Sequence, residues 1–227
     1  MHRTAVRGFT LLELLIAITM LAIVLTTLYG SYRSLLGRNP EIENEIRFRE
    51  TARVALNQML SDLCAFYVVP AGEYQPPQTT DTPNPYCLIA EHQTIGRKTL
   101  PRLAFPSFYQ LKLADRRQDI VRIVYYVQQS ADGGLVLRRS GISYPYGVFK
   151  ENPADPVLCR GLRSLQYLFY DTKGNEFQDW DSDSPDYNHQ TPVAMHIRLE
   201  LESVSGAMVT GLVFPTFRAD NAGNTQP

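Results

Sequence analysis

The chain has 227 residues, with 22 lysines and arginines against 23 aspartates and glutamates and a formal net charge of −1. That balance excludes bulk electrostatic capture of nucleic acid, which needs a clustered cationic excess to displace counterions. A hydrophobic fraction of 44%, with 13 Tyr and 10 Phe, excludes wholesale disorder and supplies the core of one large domain or two small ones.

The most apolar sequence comes first. Residues 1–8 carry Arg3 and Arg7, and residues 9–30 read FTLLELLIAITMLAIVLTTLYG with Glu13 as the only charged side chain. At about 1.5 Å per helical residue this run spans roughly 33 Å, the thickness of a bilayer's hydrocarbon core. A secretory signal peptide would have a shorter apolar region followed by a small-residue cleavage site. Tyr29, Tyr32 and Arg33 stand there instead, so the segment is expected to be retained. A charged side chain at the centre of a membrane helix costs about 2.5–3.5 kcal/mol, less toward the interface. Glu13 therefore either snorkels or stays protonated, or it has a cationic partner. A cut after Gly8 would create one, the amino group of Phe9, from the same chain or a neighbour. Charge counting does not orient the span, because Arg3 and Arg7 are balanced by Arg33 and Arg38.

The run Arg7-Gly8-Phe9-Thr10-Leu11-Leu12-Glu13, with a basic leader before it and an apolar helix after it, resembles the class III signal of type IV prepilins and pseudopilins. The resemblance implies cleavage between Gly8 and Phe9 by prepilin peptidase, N-methylation of Phe9, and a leader on the cytoplasmic side. It also implies that Glu13 pairs with the amino terminus of an adjacent subunit during assembly.

Gly30, Gly37 and Pro40 are expected to interrupt the helix. Residues 41–63 then resume the pattern with Ile42, Ile46, Ala52, Leu56, Met59, Leu60 and Leu63 at spacings of three and four, an amphipathic helix with one core-facing stripe. Asn39 is the expected N-cap, and Arg47, Arg49 and Arg53 are expected to face solvent or partner subunits. Residues 70–86, with five prolines, read as a loop. Strands are expected over 86–90, 100–105, 119–127 and 135–139, with a hairpin turning near Asp132 to Gly134. Further strands are expected over 162–170, 193–202 and 208–218. In 193–202, Val193, Met195, Ile197, Leu199 and Leu201 fall on one face. The predicted fold is α+β and pilin-like, a long N-terminal helix followed by an antiparallel β-sheet head. Its parts are a leader 1–8, a transmembrane helix 9–30, an amphipathic half 31–64, a head 65–218 and a flexible tail 219–227.

The order Cys159-Arg160-Gly161-Leu162, an aromatic strand to Tyr170, a loop with Trp180 and then Thr191-Pro192-Val193-Ala194 is similar to the minor pseudopilin J family of type II secretion systems. The helix ending Leu60-Ser61-Asp62-Leu63 resembles that family too. The resemblance implies a structural subunit near the tip of a pseudopilus, held in the bacterial inner membrane with its head in the periplasm. Its implied partners are the I- and K-type minor pseudopilins, the major pseudopilin, prepilin peptidase, the inner-membrane assembly platform and lipid, without nucleic acid. Two alternatives stay open: a minor pilin of a type IV pilus or DNA-uptake system, and a single-pass membrane-anchored binding or enzymatic domain.

Chemistry-bearing motifs are sparse. Cys64, Cys87 and Cys159 lack metal-ligand or CxxC spacing, and sequence does not choose among their three disulfide pairings. The run Asp179, Asp181, Asp183 and Asp186 could offer calcium several carboxylates, although Ser184 and Gln190 occupy the positions of an EF-hand's glycine and bidentate glutamate. The alternative is a solvated acidic loop. No nucleophile stands in a motif with a base, so no enzymatic activity and no cofactor beyond that calcium are expected.

Overall fold

The computed structural model describes residues 10–36, 40–68, 84, 86–96, 98–108, 120–143, 147–202 and 206–215. Gly8, Phe9, Asn39, the tail 219–227 and most of the proline-rich stretch 70–86 lie outside the described residues. The chain forms two units, residues 1–44 and 45–227.

The first unit contains α1 (Leu11–Leu36). Thr10 caps it: its Oγ1 accepts from the Glu13 amide at 3.3 Å, and Glu13 stands three residues on, the spacing of a capping box. An acid in the first turn also complements the positive end of the helix dipole. Hydroxyls along the helix find carbonyls within it: Thr19 donates to Ile16, Thr26 to Ala22 and Ile23, and Thr27 to Val24. Such internal satisfaction is what a lipid environment demands. The stretch Leu11–Arg33 is long and apolar enough to cross a membrane, and none of it is buried within the protein. Gly30 does not interrupt α1, which continues to Leu36. A single exposed glycine costs a helix only about 1 kcal/mol, which its flanking leucines and tyrosines offset.

The second unit is built on α2 (Pro40–Cys64) from Glu45 onward. Ala52, Ala55, Leu56, Met59 and Leu63 are buried on one stripe, while Arg47, Arg49 and Arg53 are exposed. Ile42 and Ile46, predicted for that stripe, are 58% and 50% exposed. The core takes up the helix from Phe48 on.

The strands are β1 (Ile89–Ile95), β2 (Lys98–Phe108), β3 (Ile120–Gln129), β4 (Leu135–Ser143), β5 (Val157–Arg160), β6 (Leu162–Tyr170), β7 (Glu176–Phe177), β8 (Trp180–Asp181), β9 (Ala194–Leu201) and β10 (Ala207–Val213). They pair antiparallel in two sheets, ordered β5-β4-β3-β2-β1-β8 and β10-β9-β6-β7. A single core cluster joins the buried face of α2 to both sheets. β3 is buried on both faces: Ile123, Tyr125 and Val127 enter that core, and Val124 and Tyr126 join a smaller cluster with Ala104. The apolar run of β3 without alternation has this cause. The fold is therefore α+β, an apolar N-terminal helix followed by antiparallel sheets.

The hairpin predicted at Asp132 to Gly134 forms, with the Ser130 amide donating to the Gly134 carbonyl at 2.8 Å. On β9, Met195, Ile197, Leu199 and Leu201 are buried, whereas Val193 precedes the strand and is 42% exposed. β1 lies later than predicted, at Ile89–Ile95, because its pairing with β2 from Ile89↔Ala104 to Ile95↔Lys98 outweighs its polar composition.

The chain passes from one sheet to the other at Gly161, between β5 and β6, with φ +67°. A side chain in that left-handed conformation is strained. Gly161→Val is expected to lower head stability by about 1–3 kcal/mol, read by urea unfolding. An unchanged midpoint would show that another path across the sheets is available.

Candidate functional site

Glu13 is the charged residue that the start of α1 carries among apolar neighbours. Its amide is tied to Thr10, but among the described residues its carboxylate has no hydrogen bond or ion pair. An acid at the end of a membrane-length helix, on a side chain without an internal partner, can neutralise an external cation at modest desolvation cost. Gly8 and Phe9, the residues expected to be processed, lie outside the described residues, so the structure places Glu13 alone of the three.

The four aspartates of the acidic run flank the short strand β8 (Trp180–Asp181) and the turn that follows it. Trp180 and Ser182 are buried, Asp179 is exposed, and Asp181 and Asp183 are half-buried. Trp180 stacks with Tyr187 at 4.7 Å and meets Phe177 edge-on at 5.6 Å, while its Nε1 donates to the Gln190 carbonyl. The acids then separate. Asp179 pairs with His92. Asp181 accepts from the Cys87 thiol at 3.5 Å and the Asp183 amide at 2.9 Å, and Asp183 accepts from Asn84 at 2.8 Å. The Asp186 amide donates to Ser184 at 3.2 Å in a short 3-10 turn, Pro185–Tyr187. Only Asp181 and Asp183, with Cys87, lie within ligating reach of one another. Calcium takes about six to eight oxygen ligands, and this set offers two carboxylates already hydrogen-bonded to the protein and one soft thiol. The phenol of Tyr187 is raised above its ordinary range, first by burial and then by Asp179, Asp186 and Asp181.

Sequence reasoning missed a buried charge cluster. Asp62 sits near the end of α2 beside Met59 and Leu63, and its carboxylate is buried. Arg139 on β4 meets it as a fork, Nε to Oδ2 at 2.6 Å and Nη2 to Oδ1 at 3.2 Å. The Tyr125 hydroxyl from β3 also donates to Oδ2, and Gln58 donates to Oδ1 at 3.1 Å. Ser107 on β2 donates to the Asp62 carbonyl. Burial, then the Asp62 charge, push the Tyr125 phenol far above its ordinary value. Burial opposes the Arg139 charge, but its bonds to Asp62 raise it above the ordinary value. Such a network can anchor α2 to the sheet, because the carboxylate of the buried Asp62 accepts four hydrogen bonds, two from Arg139 and one each from Tyr125 and Gln58. The signal available in the sequence was an acid three residues after Met59, on the apolar stripe.

All three cysteines are free thiols; Cys64 is exposed, and Cys87 and Cys159 are buried. Burial pushes the Cys159 thiol from 9.0 to about 12. The neutral thiol is thus favoured by folding, and that stability is full below pH 9 and lost as pH rises through about 12. A thiol reagent at pH 8 is expected to label Cys64 rapidly and the other two only on unfolding. Rapid labelling of Cys159 in the folded chain would contradict this placement.

No curated protein sequence matches the chain. A chain in the crystal structure of the GspK-GspI-GspJ complex from the type 2 secretion system of enterotoxigenic Escherichia coli is similar, at 16% identity and a TM-score of 0.48, over 74% of this chain and 98% of that one. The family model described as the prokaryotic N-terminal methylation motif matches residues 3–29, so the start of this chain, through most of α1, carries that prepilin-type motif.

Proposed function

We propose that the protein is a minor pseudopilin of a type II secretion system, of the J type, acting as a structural subunit of the pseudopilus tip and not as an enzyme. The observation that carries this reading is the methylation motif over residues 3–29 continuing into an exposed apolar helix whose first turn holds a single acid. Cleavage after Gly8 frees the amine of Phe9, which is then methylated. Glu13 pairs with the Phe9 amine of a neighbouring subunit while the apolar helices pack side by side. The assignment to secretion, and to the J type, rests on the resemblance of residues 159–194 and of the helix ending at Leu63. The partners are the I- and K-type minor pseudopilins, the major pseudopilin, prepilin peptidase and the assembly platform, with α1 in the inner membrane and the head in the periplasm. No cofactor enters this role.

Deleting the gene is expected to trap exported proteins in the periplasm while leaving pili intact, with the full-length chain restoring export. Intact export with loss of pili would assign the protein to a type IV pilus instead, whose subunits share the same motif.

A further inference from the structure

The four-stranded sheet has an open edge. β6 pairs with β9 from Leu162 to Tyr170, but with β7 only through Phe169 and Tyr170. Among the described residues, 163–168 therefore have no strand on their second side. In an antiparallel ladder alternate residues direct their N–H and C=O groups to each neighbour, so half of this stretch's backbone polar groups point into the gap. The gap is a cavity of about 580 Å³, bounded by residues 163–168 on one side and by His92 and Lys98 to Leu100 of the β1–β2 hairpin on the other.

The lining is cationic. Lys98, Arg163 and Arg198 contribute to it against the single carboxylate of Glu176, while His92 is engaged with Asp179. The existing contacts of the three cations are long, with the cationic side chains exposed: Lys98 to Glu202 at 3.9 Å, Arg163 to the half-buried Glu200 at 3.5 Å and Arg198 to Gln166 at 3.5 Å. Exposed pairs of this kind contribute little and exchange readily. Lys98 also donates to the Arg163 carbonyl at 3.3 Å, capping an edge acceptor in the way lysines protect open strands.

We propose that this edge of β6 is a docking site for an extended, acidic segment of another polypeptide, which adds as a strand in the gap with its carboxylates on Lys98, Arg163 and Arg198. Strand addition gives affinity through main-chain hydrogen bonds, and the alternate side chains give selectivity. A second copy of this chain is the wrong occupant, because symmetric pairing of two such edges brings cation onto cation. The inference goes beyond the assembly role of α1 and does not depend on it.

The test uses the full chain in lipid nanodiscs and two short synthetic peptides, one alternating Glu with Thr and one alternating Gln with Thr. The Glu peptide is expected to bind, to slow amide exchange within 163–168 several-fold, and to weaken with salt. The Gln peptide, and the Glu peptide on a Lys98→Gln, Arg198→Gln chain, are each expected to bind about tenfold more weakly. Absence of protection within 163–168, or equal binding of the two peptides to the unaltered chain, overturns the proposal without bearing on filament assembly.

Discussion

A Glu13→Gln chain is expected to be processed and inserted normally but to fail to enter filaments. Glutamine keeps the size, the helix propensity and a carbonyl acceptor near the capped first turn, so α1 and its Thr10 cap survive. What it removes is the charge. An unpartnered carboxylate costs about 2.5–3.5 kcal/mol at the centre of a membrane helix and less in the first turn where Glu13 stands, and pairing with a neighbour's amine offsets that cost only when the subunits are in register. Each misregistered contact is then disfavoured by at most on the order of a hundredfold per subunit. Incorporation read by shearing and immunoblotting should fall to background. Glu13→Asp, which retains the charge on a shorter stem, should recover part of it. Normal incorporation of the Gln variant would reduce Glu13 to a first-turn acid that complements the helix dipole.

The second large effect lies in the head. Asp62→Ala is expected to lower stability by about 3–5 kcal/mol, because it leaves the Arg139 guanidinium and the Tyr125 hydroxyl without their shared acceptor. For a domain of this size that is a fall in Tm of roughly 10 °C. Arg139→Met should cost as much, now by stranding the carboxylate. The combined Asp62→Leu, Arg139→Met, Tyr125→Phe chain should be far less destabilised than the single changes, since no buried charge or hydroxyl remains unpaired. Thermal unfolding that is additive across the three would show that the groups act independently. The network matters because it joins the end of α2, the element that follows the apolar helix in sequence, to β3 and β4 in the centre of the six-stranded sheet.

Which features were readable from sequence follows from which ones have a local cause. α1 follows from an unbroken apolar run behind a Thr-Leu-Leu-Glu cap, and the buried half of α2 from helical spacing. The hairpin follows from Asp-Gly-Gly, and β9 from strict alternation. β7 and β8, two residues each, carry no period: β7 folds back on Phe169 and Tyr170 of the strand just before it, and β8 exists because Ala90 offers a partner distant in sequence. β5, for which no strand is expected from sequence, is four residues long, and only the backbone at Gly161 separates it from β6 in the other sheet. Ile42 and Ile46 fit the helical stripe but stay exposed, because periodicity marks a face without saying how far the core extends along it. For the functional residues the split is similar. Glu13 stood out because lipid makes a lone acid conspicuous. The acidic run was conspicuous for its composition, but its acids are divided among a two-residue strand, a turn and a 3-10 turn around the buried Trp180. Asp62 is legible in the sequence only as part of Leu60-Ser61-Asp62-Leu63, and its buried pairing is not, because its partners come from strands more than forty residues away.

The decisive measurement is the intact mass and N-terminal sequence of the chain extracted from its native membranes. The expected species begins at Phe9 and is one methyl group heavier than its sequence. A chain that still begins at Met1 when it is present in assembled fibres would contradict the pairing of Glu13 with a neighbour's amine.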